Sequence, residues 1–414
     1  MRAVLQSPAV ALVWSRYGPY QFARLRAAGA LFKERGLRVV GLGVAPTNAE
    51  HPWVFPEGLR APEIRTVFPD SDYQSLAPRR IRRAVRAALS EIGPRAVAVP
   101  GWAKPEALGG LHWCRASGAV CLLMSDSNRA DARRSVLKES VKARVARLFD
   151  AALVGGTPQA DYAVELGVPP ERVFPGYDVV DNAHFASGAA AARRAAERMM
   201  AEHSLPRRYF LIVARFIEVK NLARLLEAYR LYRDRAGGEP WDLVVCGAGP
   251  LGEELKSLAT RLALQGVHWP GFASYEDLPA CYGLASAFIL PSLKDTWGLV
   301  VNEAMAAGLP VLVSDRVGCR HDLVEDGGNG FPFDPGDVDD MASKMLHMAA
   351  LSDEERARMG RRSAEIIAAW GPGRFAAGLW SCYESAIAAP RRAGVLSRLA
   401  ARGLPLLVAS GLTR

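Results

Sequence analysis

Short apolar runs alternate with segments of helical period along most of the 414 residues, and this rhythm restricts the fold more than any other feature. Ala9–Trp14 is followed by a helix pattern over Tyr20–Arg35 and then by Leu37–Val44. Ala96–Val99, the stretch after Pro105 and Val120–Met124 continue the series, and Ala151–Val154 closes it ahead of a helix signal over Thr157–Leu166. Strands buried on both faces read as continuous apolar runs, so the pattern builds strand, crossover helix and parallel strand in succession. Loop formers then cluster from Pro169 to Asn182, which is where a link between domains is expected. The rhythm resumes with Tyr209–Val213, Asp242–Cys246, Val267–Trp269, Ala287–Leu290, Val311–Ser314 and Gly330–Phe333. The expectation is an α/β chain of two nucleotide-fold halves facing across a cleft, residues 1–178 and 179–389, followed by a basic apolar tail, 390–414. Open sheets of this kind bind ligands at the carboxyl ends of their strands, so the residues directly after each strand carry the functional information.

Composition removes several alternatives. Half of the chain is hydrophobic, enough for a sizeable core in each half. Cys114, Cys121, Cys246, Cys281, Cys319 and Cys382 are scattered, with no CxxC pair and no histidine at ligand spacing, which argues against a disulfide framework or a structural zinc. They read as reduced, buried thiols of a cytoplasmic protein. The N-terminal stretch has a charge and an apolar run, but Trp14-Ser15-Arg16-Tyr17-Gly18 stands where a leader would have small residues, so a first core strand is expected. No apolar run reaches the roughly 20 residues of a spanning helix, which leaves a soluble or peripheral protein. The net charge of +9 favours phosphorylated ligands, anionic lipid or nucleic acid without choosing among them, and a GC-rich codon bias toward arginine accounts for it equally well.

Two constellations follow strands in the C-terminal half. The run Tyr209–Val213 leads into Ala214-Arg215-Phe216-Ile217-Glu218-Val219-Lys220-Asn221, after which a helix begins. Arg215 can fork onto phosphate oxygens and Lys220 can add a point charge beside the helix N-terminus, an arrangement suited to a diphosphate. Two solvated surface cations would show the same spacing. The second constellation runs from Pro291 through Asp295, Gly298 and Glu303 to Gly308. Gly298 lets the backbone approach a ligand, and the first helical N–H groups, at Leu299 and Val300, are free to bind an anion. Glu303 lies on the same helix face as Leu299 and could accept two hydrogen bonds from a ribose diol. Alternatively, Asp295 is a helix cap and Glu303 an exposed helix glutamate.

Taken together, these segments resemble the family 4 retaining glycosyltransferases, whose GT-B fold consists of two Rossmann-like domains. The resemblance rests on Arg215 with Lys220, on the acidic-x7-Glu element from Asp295 to Glu303, on the EAMAAGLPVLVSD run that begins at Glu303, and on the turn Asn329-Gly330-Phe331. It is detailed from about residue 205 to 345 and holds only in outline before that. It implies that Arg215 and Lys220 bind the diphosphate of a nucleotide sugar and that Glu303 holds the ribose. Asp295 and the backbone at Gly298, Leu299 and Val300 would position the sugar and phosphates, while Gly271-Phe272 would receive the base near the Gly247 and Gly249 turn. It also implies that the last helix returns to the N-terminal domain, and that transfer proceeds on one face of the sugar, with the leaving phosphate assisting removal of the acceptor proton. The activity implied is hexosyltransferase-like, from a UDP- or GDP-sugar to a glycan, a lipid-linked acceptor or a small molecule, as in polysaccharide biosynthesis. Neither metal nor cofactor is called for. Two departures stand out: Asp295 is one methylene shorter than the family's usual Glu, and the N-terminal glycine loop is reduced to Tyr17-Gly18-Pro19-Tyr20, leaving Gly18 as its candidate contact.

Other motifs carry rival readings. Gly247-Ala248-Gly249-Pro250-Leu251-Gly252 fits G-x-G-x-x-G, but the next strand ends in Val267-His268-Trp269-Pro270 without the carboxylate a dinucleotide site needs. Asp70-Ser71-Asp72 imitates a metal-binding D-x-D in the wrong half for the donor. After Val120–Met124, Asp126 or Ser125 stands where related enzymes place a polar acceptor-side residue, though Asp126 could equally cap the next helix. The helix pattern Pro78–Ile92, with Arg79, Arg80, Arg82, Arg83 and Arg86, and the tail from Pro390 onward could lie on the anionic inner face of a membrane or simply be solvated. No nucleic-acid partner is expected. A sugar-nucleotide epimerase of the same build and a non-catalytic nucleotide-sugar-binding protein remain the alternatives.

Overall fold

The computed structural model describes residues 7–47, 63–131, 135–202 and 204–388; the expected tail at 390–414 lies outside them. The chain divides into two compact units. One takes the residues up to Val179 and those from Pro372 onward, and the other takes Val180–Gly371.

The first unit is built on a seven-stranded parallel sheet: β1 (Ala9–Trp14), β2 (Arg38–Gly43), β3 (Ile64–Thr66), β4 (Ala96–Pro100), β5 (Val120–Ser125), β6 (Ala151–Val154) and β7 (Val173–Pro175). Their order is β3-β2-β1-β4-β5-β6-β7. Side chains alternate across a strand, so β1 feeds two cores at once. Val10, Leu12 and Trp14 pack with Phe22, Leu25 and Phe32 of the helix Pro19–Glu34 and with Phe375, Leu379 and Cys382 of the last helix, Pro372–Ala388. Ala11 and Val13 face the opposite core, with Ile81, Val85 and Leu89 of the helix Pro78–Ile92. The last helix is therefore part of this unit.

Two strands differ from the sequence reading. Ile64–Thr66 and Val173–Pro175 are three-residue edge strands, too short to give a period, and the second lies inside the loop-rich stretch read as the link. Asp72 is a turn cap: its Oδ1 accepts from the Gln74 N–H at 2.8 Å and its Oδ2 from Thr47 Oγ1 at 3.1 Å. Among the described residues no group of three or more His, Cys, Asp or Glu is arranged to hold a metal ion.

The second unit holds six parallel strands: β8 (Tyr209–Val213), β9 (Asp242–Cys246), β10 (Val267–Gly271), β11 (Ala287–Leu290), β12 (Val311–Ser314) and β13 (Gly330–Phe333). The order β10-β9-β8-β11-β12-β13 reverses direction between β8 and β11. Such a switch point opens a crevice at the carboxyl ends of the two central strands. The helix Leu222–Arg235 buries Leu222, Leu225, Leu226, Tyr229 and Tyr232 on one face, the 3.6-residue spacing seen in the sequence. Each such side chain contributes about 1.5–3 kcal/mol of transfer free energy, which fixes the helix start next to β8.

Candidate functional site

The turn after β8 is held by its own backbone. The Phe216 N–H donates to the Ala248 carbonyl at 2.9 Å and the Leu251 N–H to the Phe216 carbonyl at 3.1 Å. A Cβ on Gly249 would stand 2.6 Å from both the nitrogen and the oxygen of Phe216, and one on Gly247 would run into the Ala214 carbonyl. The bare faces of Gly247 and Gly249, which the sequence reads as a tight turn near the nucleotide, lie against the chain itself, and they shape the turn that presents Arg215. Arg215 is exposed, and its side chain makes no ion pair among the described residues.

Lys220 closes a short 3-10 turn, Glu218–Lys220. Asn221, the next residue, is left-handed at φ 59°, a conformation costly for a residue with a Cβ. Its Nδ2 donates to the carbonyls of Pro291 (3.0 Å) and Pro335 (2.8 Å), two buried bonds that offset the cost and anchor the turn to the segment after β11. The Leu293 N–H donates to the Val219 carbonyl at 2.9 Å and adds a second tie. Lys220 Nζ thereby reaches Asp295 Oδ2 in direct contact, with both side chains largely buried. The helix cap is Gly298, not Asp295.

Gly298 has φ 96°, and a Cβ there would lie 2.7 Å from Val317 Cγ1, so both conformation and space require glycine. The loop ahead of it is pinned by Gly318 N–H to the Asp295 carbonyl (3.0 Å), Cys319 N–H to the Trp297 carbonyl (2.9 Å) and Trp297 Nε1 to Asn302 Oδ1 (2.9 Å). In the helix Leu299–Ala306 the Val301 N–H already bonds to the Gly298 carbonyl, so Leu299 and Val300 supply the unfilled donors of the first turn. Glu303 is not an exposed helix glutamate. It is 1% exposed, and its Oε2 accepts a 2.7 Å hydrogen bond from the hydroxyl of Tyr282, a residue the sequence did not single out.

Beside this pair, Cys246 Sγ lies 3.5 Å from the Gly271 carbonyl. The hydrogen bond with Cys281, and then burial, push the Cys246 thiol far above its usual range, so it stays neutral and inert. Gly271 ends β10 at φ 84°, and Phe272 follows with half of its surface exposed (50%).

The N-terminal candidates look different. Gly18 precedes the helix Pro19–Glu34, but its N–H is taken by Gln21 Oε1 at 3.1 Å. Arg16, unnoticed in the sequence, is only 7% exposed beside it, and burial lowers its pKa. Asp126 follows β5, and the N-cap of the helix Val136–Ala146 is Ser135; the Ala130 N–H donates to Asn128 Oδ1 (2.8 Å) and the Asn128 N–H to Asp131 Oδ2 (2.7 Å). Burial, with a contribution from Asp126, pushes the Tyr177 hydroxyl up to about 12. Glu106, also missed, is fully buried. Its Oε2 accepts from the Tyr73 hydroxyl at 2.8 Å, its Oε1 has no hydrogen-bond partner, and burial raises its pKa. Nothing in the local sequence marks Glu106 as buried; only its packing identifies it.

Residues 195–365, which contain Arg215, Lys220, Asp295 and Glu303, match the family described as glycosyl transferases group 1. The chain is 37% identical over 123 residues to a sulfoquinovosyl transferase of Arabidopsis thaliana, covering 29% of this chain and 23% of that one. It is 30% identical over 224 residues to a D-inositol 3-phosphate glycosyltransferase of Corynebacterium kroppenstedtii, covering 52% and 48%. The chain thus spans about half or less of the length of these curated relatives. Among solved structures, a sucrose-phosphate synthase of Thermosynechococcus elongatus superposes with a TM-score of 0.70 at 19% identity, over 92% of this chain and 100% of that one. Anabaena HepE in complex with UDP and glucose gives 0.66 at 16%, over 91% and 100%. The fold is accordingly α/β and GT-B-like, two parallel sheets with flanking helices.

Proposed function

We propose, with the group 1 match over residues 195–365 as premise, that the protein is a retaining, family 4 glycosyltransferase whose C-terminal unit holds a nucleoside diphosphate sugar. One observation carries the reading. Two segments 75 residues apart, after β8 and after β11, meet at the switch point through Lys220 and Asp295. Arg215 and Lys220 clamp the diphosphate, with the Leu299 and Val300 N–H groups at the helix N-terminus beside Gly298. Lys220 exchanges its contact with Asp295 for phosphate, which frees that carboxylate for the transferred sugar. Glu303 takes the ribose, and the base lies at Gly271-Phe272.

The growing charge on the departing diphosphate is met by these cations, so neither a metal nor another cofactor takes part, and the sugar is transferred with retention. UDP and GDP are the candidate carriers, as UDP is in the HepE complex. The N-terminal unit, with Asp126 after β5, serves a glycan, lipid-linked or small-molecule acceptor. The helix Pro78–Ile92 exposes Arg79, Arg80, Arg83 and Arg86 for peripheral contact with the anionic inner face of a membrane from the cytoplasm. No helix among the described residues is long and apolar enough to cross one.

A thermal-shift screen of UDP, GDP and their sugars tests the reading, because a ligand at a hundred times its Kd stabilises by about 2.7 kcal/mol. Transfer with the responding donor should persist in excess chelator and give the donor's own anomeric configuration by NMR. No response to any nucleotide, loss of turnover restored by magnesium or manganese, or an inverted product would each reject the corresponding part.

A further inference from the structure

The terminal torsion of a glutamate is broad and nearly two-fold, so an unanchored carboxylate turns its plane easily. A carboxylate that accepts both hydroxyls of a vicinal diol needs that plane fixed. In the C-terminal unit the Tyr282 hydroxyl supplies an anchor, donating to Glu303 Oε2 at 2.7 Å. Tyr282 is itself immobilised. It is fully buried, edge-on to Phe185 at 5.9 Å and tilted against Phe288 at 5.8 Å. Its helix, Leu278–Leu284, lies so close to a neighbour that a Cβ on Gly283 would stand 2.7 Å from the Ala189 backbone. A carboxylate has about four lone-pair sites, so Oε2 can serve Tyr282 and still receive a ribose hydroxyl.

We propose that Tyr282 is a positioning residue: by holding the Glu303 carboxylate plane it makes the C-terminal site select ribonucleotides over 2′-deoxyribonucleotides. The inference rests on the reading of Glu303 as the ribose acceptor and extends it to a residue that touches no substrate. Tyr282→Phe keeps the ring and its aromatic contacts and removes only the hydroxyl.

Calorimetric titration of UDP, GDP and their 2′-deoxy forms into the full chain, its Tyr282→Phe variant and its Glu303→Ala variant tests it. The wild type should favour the ribo form of the nucleotide it binds by about tenfold or more, the range of a charge-assisted hydrogen bond. Tyr282→Phe should lose most of that ratio through weaker ribonucleotide binding, with the 2′-deoxy affinity within about twofold of wild type. Partial unfolding would scale both affinities alike, so the ratio remains readable if the variant melts lower. An unchanged ratio in Tyr282→Phe, with the ratio lost in Glu303→Ala, would make Tyr282 merely structural and overturn the inference alone. A ratio that survives in Glu303→Ala would overturn the ribose assignment itself, and the inference with it.

Discussion

The switch points of the two sheets carry similar side chains in different states. In the N-terminal unit the switch lies between β1 and β4; Arg16 follows β1 and is buried, and Glu106 follows β4 with one oxygen on Tyr73 and the other unpartnered. In the C-terminal unit it lies between β8 and β11; Arg215 is exposed, Lys220 and Asp295 hold each other, and Glu303 sits on Tyr282. An arginine after the first strand and a glutamate under a tyrosine are thus not in themselves a site. What differs is access. The C-terminal turn presents the exposed Arg215 beside unfilled helix donors, whereas in the N-terminal turn the guanidinium is buried and the Gly18 donor is already taken. Charge that is accessible and preorganised is what a diphosphate requires.

The largest expected effect bears directly on that contrast. Lys220→Ala and Arg215→Ala should each lower turnover by about a hundredfold to a thousandfold, the ~2.7–4 kcal/mol lost with a preorganised partner of a developing anion. The two together should cost less than the product of the singles, since both act on one group. Near-normal turnover at saturating donor in either folded variant would erase the difference between the two switch points. Next in size, Glu303→Ala should weaken a nucleoside diphosphate by ~1.5–3 kcal/mol, while Glu106→Gln leaves nucleotide affinity unaltered. Equal losses in the two variants, measured by calorimetry, would mean that Glu303 has no special part in holding the nucleotide.

Gly249→Ala forces a Cβ against the Phe216 backbone and should cost about 1–3 kcal/mol of stability through overpacking. It should also displace Arg215, so that a lower melting temperature comes with weaker nucleotide binding; a lower melting temperature with unchanged binding would separate the glycines from the cation. The smallest effect belongs to Glu106. Burial raises its folded pKa, so the folded state holds the proton more tightly than the unfolded chain. Its contribution therefore falls as pH rises from the unfolded carboxyl pKa through the raised one. Glu106→Gln removes this slope. The variant should match the wild type near pH 4 and become the more stable of the two as pH rises toward neutral; parallel melting curves at all pH values would contradict the burial argument.

Much of the frame was legible because it is local. β8 and β11 appear as apolar runs ended by turn residues, and Arg215, Lys220, Asp295 and Glu303 stand at fixed spacings from those ends. The edge strands Ile64–Thr66 and Val173–Pro175 were not, since three residues carry no period. The glycines at 247 and 249 are visible as a motif, but what fills the space beside them is decided by Ala214 and Phe216, more than thirty residues earlier. Tyr282, Glu106 and Arg16 were invisible for the same reason: their meaning lies in burial and in partners distant along the chain. Asp295 was read as a cap or a ligand contact, while its partner here, Lys220, comes from the other constellation.

The central claim, that the cations after β8 hold a diphosphate, is met most directly by comparing UDP with uridine, and GDP with guanosine, in calorimetric titrations of the wild type and the Arg215→Ala/Lys220→Ala double variant. In the wild type the diphosphate should bind at least about tenfold more tightly than its nucleoside, as charge-assisted hydrogen bonds to two cations require. In the folded double variant that gap should shrink to about threefold or less, the scale of solvated surface charges. A gap of wild-type size in the double variant would place the diphosphate elsewhere and contradict the account.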